Sequence, residues 1–253
     1  MRISVITPSF NQGRYIERTL RSVLDQQGEF DLEYLVMDGG STDDTLDILR
    51  RYEGRLHWIS ERDEGQSDAI NKGFAMATGD VLAWLNSDDT YAPGALACVV
   101  DEYRRESFAW CFGDCRIIDE DDREIRDFIT RYKIAQSRRY AYGRLLRRDF
   151  VSQPAAFFSA AAYRETGELS RDLTYSMDYD YWLRLGQRWE PRYISRFLAN
   201  FRWHTLSKNG AAYRKAAWET FQTARRQAPI GHRVDLAMHF GHCCVLNILY
   251  RLL

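Results

Sequence analysis

The sequence has no long apolar run and almost no net charge, and both absences narrow the class of protein. None of its 253 residues belongs to an unbroken stretch of about 18 apolar residues, so no transmembrane helix is predicted. The first residues, "MRISVITPSF", enter a strand-like pattern at once, and we expect no signal peptide. The formal net charge of -1 gives no reason to expect nucleic acid as a partner.

Cysteine and glycine patterns exclude two further classes. The five cysteines are odd in number and irregular in spacing, which is typical of reduced thiols in a cytoplasmic protein. No Gly-x-Gly-x-x-Gly follows the first strand-like run, which excludes a dinucleotide oxidoreductase. His239, His242 and Cys243 have helical spacing but no matching second pair, so we interpret them as helix packing rather than a zinc site.

The first hundred residues alternate between strand and helix patterns. "ISVITPS", "EYLVMDGG", "RLHWIS" and "VLAWL" are short apolar runs, and segments with helical spacing lie between them. Ser41, with Asp44 three residues later, predicts a helix start close to a capping box. This alternation predicts βαβ units and a parallel sheet.

Three polar segments follow strand-like runs: "TPSFNQ", "DGGSTDD" and "NSDD". The carboxyl ends of parallel strands meet at one sheet edge, where such sheets bind their ligands. Asp88 and Asp89 would then supply the oxygen ligands that a divalent cation prefers. The alternative is that the two acids only cap the next helix, whose start Pro93 indicates.

The second half has a different pattern. "FAWCFGDCRIIDEDDREIRDF" predicts two strands around an acidic turn, "QPAAFF" a strand, "MDYDYWLRLGQRW" a helix, and "RYISRFLANFRWH" a strand that ends on His204. From about Ala211 the pattern is helical, and Pro229 divides it into two segments.

Six segments in this order resemble the family 2 glycosyltransferases: "TPSFNQGRYIERTLRSVLDQ", "LVMDGGSTDDT", "DEGQSDAINKGFAMATGDVLAWLNSDD", "QPAAFF", "MDYDYWLRL" and "FRWHTLSKNG". The resemblance implies a GT-A fold: α/β, with a Rossmann-like, mostly parallel central sheet flanked by helices, followed here by a helical C-terminal tail. The expected organisation is a GT-A domain over 1–210, with a nucleotide-binding half (1–100) and an acceptor-binding half (101–210), and an extension over 211–253.

The resemblance also implies a reaction. An inverting, metal-dependent enzyme would move a sugar from a nucleotide donor, with UDP as first expectation, to a hydroxyl of a glycan or lipid-linked acceptor in polysaccharide assembly. The cofactor would be Mn²⁺ or Mg²⁺. Two alternatives stay open: a catalytically impaired nucleotide-binding subunit, favoured only by Asn86, and a sugar nucleotidyltransferase, which would want a basic Gly-rich loop where "TPSFNQGRY" has only Arg14.

Matching positions give the expected donor-site residues. Those expected to bind nucleotide are Pro8, Phe10, Asn11, Asp38, Gly39, Gln66, Asp68, Asn86 and Ser87. Gly39 stands where members often carry a second Asp, and Asn86 stands at the first acid of the Asp-x-Asp motif. Asp68 has an alternative role as a negative charge at a helix N-terminus.

The remaining assignments concern the metal and the acceptor. The resemblance places Asp88, Asp89 and His204 at the metal, although a lone histidine after a strand is otherwise usually packed and hydrogen-bonded. Asp178 would be the general base, while Gln153, Asp180 and Lys208 would contact acceptor or phosphate. Since Asp180 is two residues from Asp178, both cannot point at one atom from a helix.

Arginine and tyrosine are interleaved between Arg131 and Arg148, and the last helix is strongly apolar. Such segments can bind the inner face of a membrane or, through the C-terminal helices, a second subunit. The alternative is a solvated basic face and a last helix that packs on its own domain.

Overall fold

The computed structural model describes residues 1–204 and 213–252. Its strands are β1 (Arg2–Ser9), β2 (Asp31–Asp38), β3 (His57–Ser60), β4 (Val81–Trp84), β5 (Thr90–Tyr91), β6 (Trp110–Ile118), β7 (Ala156–Ser159) and β8 (Arg192–Arg202). Its helices are α1 (Ile16–Leu24), α2 (Thr45–Arg50), α3 (Gln66–Met76), α4 (Ala95–Arg105), α5 (Asp127–Ser137), α6 (Tyr142–Arg147), α7 (Ala160–Thr166), α8 (Met177–Gly186), α9 (Tyr213–Gln227) and α10 (Arg233–Leu252).

The described strands form one sheet in the order β3-β2-β1-β4-β7-β6-β8-β5. β1 pairs in parallel with β2 and β4, and β2 with β3, whereas β7 runs antiparallel to its neighbours β4 and β6. β6 and β8 are parallel again. The prediction of a mostly parallel central sheet flanked by helices is confirmed.

Hydrophobic residues cover both faces of the sheet. Val5 of β1 and Ala83 of β4 belong to one buried cluster, whereas their neighbours Ile6 and Trp84 belong to the cluster on the opposite face. Successive side chains of a strand point to opposite faces, so a strand buried on both sides is apolar throughout. This explains the unbroken apolar runs that precede the polar segments.

A column of tryptophans fixes helix α8 against the sheet. The ring of Trp182 stacks on Trp84 at 5.3 Å and 13°, and on Trp110 at 5.9 Å and 1°. All three rings are fully buried. Large apolar side chains contribute roughly 1.5–3 kcal/mol each on burial, so α8 has a well-defined position.

Two local predictions were wrong, and a third, the strand at "QPAAFF", is confirmed only for its last three residues. Helix α2 begins at Thr45 and has no side-chain cap, because the Ser41 hydroxyl donates to Asp38 instead. Gln153–Ala155 is a 3₁₀ turn before β7, where proline cannot donate to the sheet. After β6, the predicted second strand is reduced to one bridge between Ile118 and Glu124.

The C-terminal helices pack on the second half of the chain. α9 contacts α8, and α10 contacts both α9 and α6. In the described part of the chain, no helix is long and apolar enough to cross a membrane.

Candidate active site

A cleft of about 990 Å³ opens at the carboxyl ends of β1 and β4. The loop after β1 and the start of α3 line one end of it, and the "NSD" turn after β4 lies in its wall. Residues of α5, α8, α9 and α10 line the rest. The sheet edge predicted from the polar segments is therefore part of a cleft that both halves of the chain build.

The adjacent acids after β4 face opposite ways. Asp88 lines the cleft, whereas Asp89 is fully buried. Asp89 Oδ1 accepts a hydrogen bond from the backbone N–H of Arg202 at 2.8 Å, and Oδ2 accepts one from Asn86. Burial, and next the charge of Asp88, raises the pKa of Asp89 well above its usual range. Asp88 therefore has the position suited to a ligand, while Asp89 holds the turn.

Asp88 and His204 form a pair beside the cleft. Asp88 Oδ2 lies 3.0 Å from Nε2 of His204, which is nearly buried and packs its ring 4.8 Å from that of Tyr15. Two ligands at right angles around an octahedral cation, each about 2.1 Å from it, are roughly 3.0 Å apart. The pair therefore fits two adjacent positions of a divalent cation.

The rest of such a coordination shell would come from outside the protein. Within the described ranges, no third acid, histidine or cysteine completes a metal cluster. Mg²⁺ is commonly held by one or two protein ligands together with substrate phosphates and water. Asp88 and His204 suit a cation that a diphosphate completes.

Arg202 is a site residue that the sequence analysis missed. Its side chain is fully buried, and it donates to the carbonyl oxygens of Asp88 and Asp119 and to the Asp122 carboxylate. A buried guanidinium requires such partners because an uncompensated buried charge is costly. The signal was available: Arg202 occupies an inward position of an alternating strand two residues before His204.

A chain of amides explains why Asn86 stands where the family motif has an acid. Gln66 Nε2 donates to Asn86 Oδ1 at 2.7 Å, and Asn86 Nδ2 donates to Gln153 Oε1 at 3.0 Å. Gln153 Nε2 in turn donates to the carbonyl of Trp84 at 2.7 Å. An ionised carboxylate has no proton to donate to Gln153, so the amide suits this position better than Asp. Ser87 also lines the cleft next to Asn86.

The loops at the nucleotide end are tied together by side chains. Asn11 has φ 51°, and its side-chain oxygen accepts a hydrogen bond from the Thr42 N–H. Its backbone N–H donates to the Ser41 hydroxyl oxygen. Asp38 is nearly buried and accepts hydrogen bonds from Gly40, Ser41 and Ser60. Neither side chain is among those that line the cleft, which Pro8 and the exposed Phe10 do line.

Gly39 leaves room for an acid from another loop. A Cβ at Gly39 would lie 2.6 Å from Asp63 Oδ2, which is closer than atoms can approach. Asp63 lines the cleft and accepts a hydrogen bond from the Gly65 N–H. A glycine at position 39 therefore lets the Asp63 carboxylate pack against the end of β2 while it lines the cleft.

Asp68 makes ion pairs within the protein. Its carboxylate lies 3.1 Å from Arg171 Nε and 3.2 Å from Lys72 Nζ. Burial opposes ionisation, but the hydrogen bond from Glu64 N–H and the two cations outweigh it and lower the pKa of Asp68. It does not line the cleft, so its contacts favour the alternative role at the start of α3.

Asp178 and Asp180 have different surroundings on α8. Asp178 lines the cleft, and its Oδ1 accepts the Tyr179 N–H at 2.8 Å. Burial raises the pKa of Asp178. Asp180 is nearly buried and is bound by Arg184 at 2.9 Å and by Gln227 at 2.8 Å. The geometry thus brings Asp178 to the cleft and ties Asp180 to α9.

Asp149 is a second site residue that the sequence analysis missed. It lines the cleft, and its Oδ1 is buried with no hydrogen-bond partner in the described part of the chain. Burial, and next the charge of Asp178, raises the pKa of Asp149 to about 7. Lys133 counteracts this shift at both carboxyl groups. Nothing in the segment "RRDF" distinguishes this acid from a surface one. Lys208, expected near phosphate, lies outside the described residues.

Comparisons with known proteins assign this chain to a protein family. The family model described as glycosyl transferase family 2 matches residues 4–166. An uncharacterized glycosyltransferase of Mycobacterium tuberculosis is 33% identical over 204 residues, which cover 79% of this chain and 74% of that protein. The chondroitin synthase of Escherichia coli is 28% identical over 78% of this chain. That match spans 28% of the synthase. An uncharacterized glycosyltransferase of Nostoc sp. is 35% identical over 49% of this chain, and the match spans 40% of that protein.

Solved structures show the same fold at low identity. Staphylococcus aureus TarS 1-349 in complex with UDP-GlcNAc superimposes with a TM-score of 0.71 at 16% identity, covering 93% of this chain and 69% of that one. The mannosyltransferase PcManGT from Pyrobaculum calidifontis, in complex with GDP-Man and Mn²⁺, gives 0.68 at 19% identity, covering 94% and 73%. The family match, the relatives and the fold agree: this chain belongs to glycosyltransferase family 2, has the GT-A fold, and is a glycosyltransferase.

Proposed function

We propose that the chain is an inverting, metal-dependent transferase that moves a sugar from a nucleoside diphosphate donor to a hydroxyl of a glycan or lipid-linked acceptor. The observation that carries the proposal is the placement of Asp178 in the same cleft as the Asp88–His204 pair. In this cleft the Asp178 carboxylate can accept a proton from the acceptor hydroxyl, while Asp88 and His204 would bind the cation that holds the departing nucleoside diphosphate.

The donor is proposed to be a UDP-sugar. Support comes from the TarS neighbour, whose structure holds UDP-GlcNAc, although PcManGT holds GDP-Man. In this chain, Phe10 and Asp63 line the nucleotide end of the cleft. The exposed ring of Phe10 offers a surface for a base, and Asp63 an acceptor for a donor N–H or hydroxyl. Gly39 packs against Asp63, while Asn11 and Asp38 hold the loop around Ser41 by hydrogen bonds.

Asp88 and His204 would hold Mn²⁺ or Mg²⁺, which supplies positive charge to the departing diphosphate. Arg202 and Asp89 fix the backbone on which Asp88 sits. Asp178 takes the proton of the acceptor hydroxyl as its oxygen attacks the anomeric carbon from the side opposite the diphosphate. Attack from that side inverts the configuration.

Polysaccharide assembly is proposed as the setting. A relative named chondroitin synthase supports this direction, although this chain spans only part of it. The alternative of an impaired binding subunit depends on Asn86 alone, and the amide chain gives Asn86 a structural role that is compatible with an active enzyme.

The experiment is a donor screen by release of nucleoside diphosphate, with Mn²⁺, Mg²⁺ or EDTA. We expect a UDP-sugar to be the best donor, turnover to require the metal, and Asp178→Asn to be inactive. If no nucleotide sugar is consumed under any of these conditions, the proposed reaction is wrong. NMR of the product's anomeric proton tests inversion.

We also propose peripheral contact with the inner face of a membrane through the C-terminal helices. Ile230, Val234 and Met238 are spaced by four residues and are 105%, 69% and 53% exposed. The predicted basic stretch contributes less charge than its sequence indicates, because Arg131 pairs with Asp127 and Arg147 with Asp235.

Flotation with anionic vesicles tests membrane contact. We expect binding at low salt that is reduced in the Val234→Ser, Met238→Ser double variant. Absence of binding, together with a dimer in light scattering that the same variant dissociates, would assign this face to a second subunit and reject the membrane.

A further inference from the structure

Three cations line the cleft beside α5 and α10: Lys133 acts on the carboxyl groups of Asp149 and Asp178, whereas the two arginines contact uncharged side chains. The arginines are Arg126 and Arg148, and within the described residues neither of them forms an ion pair. Their neighbours behave differently, because Arg131 pairs with Asp127 and Arg147 with Asp235. Unpaired arginines in a concave site concentrate positive potential there.

Arg148 is held in position by uncharged partners. Its Nη1 donates to Tyr132 Oη at 3.1 Å, and its Nη2 lies 2.9 Å from His242 Nδ1. Burial, and next the charge of Arg148, lowers the pKa of His242, so the imidazole is neutral and accepts this bond. A guanidinium has five N–H groups, and two are used here. The others are available for an oxyanion.

Arg126 lines the same cleft and directly precedes α5. Its guanidinium stacks over the Trp203 ring at 4.0 Å, next to His204. Its backbone has φ 54°, a left-handed conformation that is unusual for a residue other than glycine. Stacking orients the plane of the guanidinium while leaving its N–H groups in plane for a ligand.

The contacts of Arg148 separate it from the donor end. Its hydrogen-bond partners Tyr132 and His242 belong to α5 and α10, which are elements of the second half and the tail. The nucleotide end is built by the loop after β1, by Asp63 and by the start of α3. Asp178 lies among the lining residues from the second half. Arg148 is thus placed with the acceptor side of the base.

We propose that this cationic end of the cleft binds a phosphate or a carboxylate of the acceptor, and that Arg148 is the residue that selects it. The inference rests on the proposed function, since only a transferase has an acceptor. Charge-assisted hydrogen bonds to an oxyanion are stronger than neutral ones, and Arg presents two in parallel. A neutral glycan offers no group that would justify two unpaired arginines.

Binding of three probes tests the proposal, with UDP and Mn²⁺ at saturation so that the donor site is occupied. The probes are a glycerol phosphate tetramer, a hyaluronan tetrasaccharide and neutral chitotetraose, measured by calorimetry at two salt concentrations. We expect the wild-type chain to prefer one or both anionic probes over the neutral one by about tenfold or more. Arg148→Gln should abolish the preference, and Arg148→Lys should keep part of it.

Arg139→Gln is the matched control, because Arg139 is exposed in the same basic stretch but does not line the cleft. It should change affinity by less than about twofold, since a distant surface charge is screened by salt. Equal affinity for all three probes, or an Arg148→Gln variant that keeps the preference, overturns the proposal. The phosphate and carboxylate probes identify which anion is bound. If UDP does not bind but the anionic probes still depend on Arg148, the proposed transferase function fails and the anion site stands.

Discussion

Acidic residues that are close in the sequence have different roles in the site, and the sequence does not distinguish them. Asp88 and Asp178 line the cleft, whereas their neighbours Asp89 and Asp180 are buried and accept hydrogen bonds from an arginine and a side-chain amide each. One residue of each pair is therefore available for chemistry, and the other fixes local structure. The sequence names both members but cannot assign them, because orientation depends on partners that are 100 residues away or on another element.

Substitution at Asp178 and Asp180 should separate these roles. Asp178→Asn keeps the shape but removes the base, so we expect turnover to fall by about a hundredfold or more with little change in nucleotide affinity. Asp180→Asn weakens the contacts with Arg184 and Gln227, so it should lower the melting temperature more than it lowers turnover. Steady-state kinetics and thermal unfolding measure both. An inactive Asp180→Asn beside a normal Asp178→Asn would show that the base has been assigned to the wrong carboxylate.

The pH dependence of stability tests the environment of Asp149. Its pKa is raised to about 7 in the folded protein, chiefly by burial, from 3.8 in the unfolded chain. A raised pKa contributes stability below about pH 4 that is lost as pH rises towards 7. Asp149→Asn stays neutral, so its free energy of unfolding relative to wild type should increase by about 2 kcal/mol between pH 5 and pH 8.

Urea unfolding at the two pH values measures this difference. The same substitution at Asp172, an exposed acid outside the cleft, is the control and should show no such change. The groups that face Asp149 are Asp178, which opposes its ionisation, and Lys133, which favours it. A pH-independent difference at Asp149 would mean that this carboxyl group is solvated.

At this scale, motifs in the sequence lead to residues that line the cleft, whose roles stay predictions, whereas residues that matter through packing were missed. Asp88, Asp178 and His204 were placed from motifs, and all three lie at the cleft or directly beside it. Arg202 and Asp149 were missed because their importance comes from burial. The type of a charged residue does not show whether its side chain is buried.

At the scale of elements, the C-terminal helices help to build the cleft. Glu219 of α9 accepts hydrogen bonds from the backbone N–H groups of Tyr175 and Ser176 at 2.7 and 2.9 Å. These residues directly precede α8, whose positive N-terminal end favours a carboxylate. The helix that carries Asp178 is therefore held at its start by the tail. The division of the chain at residue 210 stays a prediction.

Removing the Glu219 carboxylate should shift the helix that carries Asp178, because Glu219 holds the residues directly before that helix. Glu219→Ala leaves two backbone donors without their partner, so we expect a loss of about 2–4 kcal/mol in stability and a lower kcat with nearly unchanged nucleotide affinity. Glu219→Gln keeps an acceptor and should recover most of the activity. Unfolding and steady-state kinetics test both variants. A Glu219→Ala variant with wild-type kcat would show that α9 does not position the base.

At the scale of the whole molecule, the hydrophobic pattern of the sequence predicted the fold but not the composition of the cleft. Alternating strands and helices predicted the parallel half correctly, because a strand buried on both faces must be apolar along its length. The strand β7 was predicted from "QPAAFF", but its antiparallel direction and the 3₁₀ turn before it were not, since a local pattern does not give the direction in which a strand pairs. The contribution of α9 and α10 to the cleft depends on long-range packing, which local patterns do not encode.

The most direct test of the account is calorimetric titration of UDP with Mn²⁺ and with EDTA. Asp88 and His204 are proposed to bind the cation that holds the diphosphate, and Asp178 is proposed to act only on the acceptor. The wild-type chain and Asp178→Asn should therefore bind UDP in Mn²⁺ with similar affinity. EDTA, or the substitution Asp88→Asn, should weaken binding by at least about tenfold, because the charge-neutralising cation is lost. Equal binding of UDP in Mn²⁺ and in EDTA would contradict the proposed metal site, and loss of binding in Asp178→Asn alone would contradict the division of roles within the cleft.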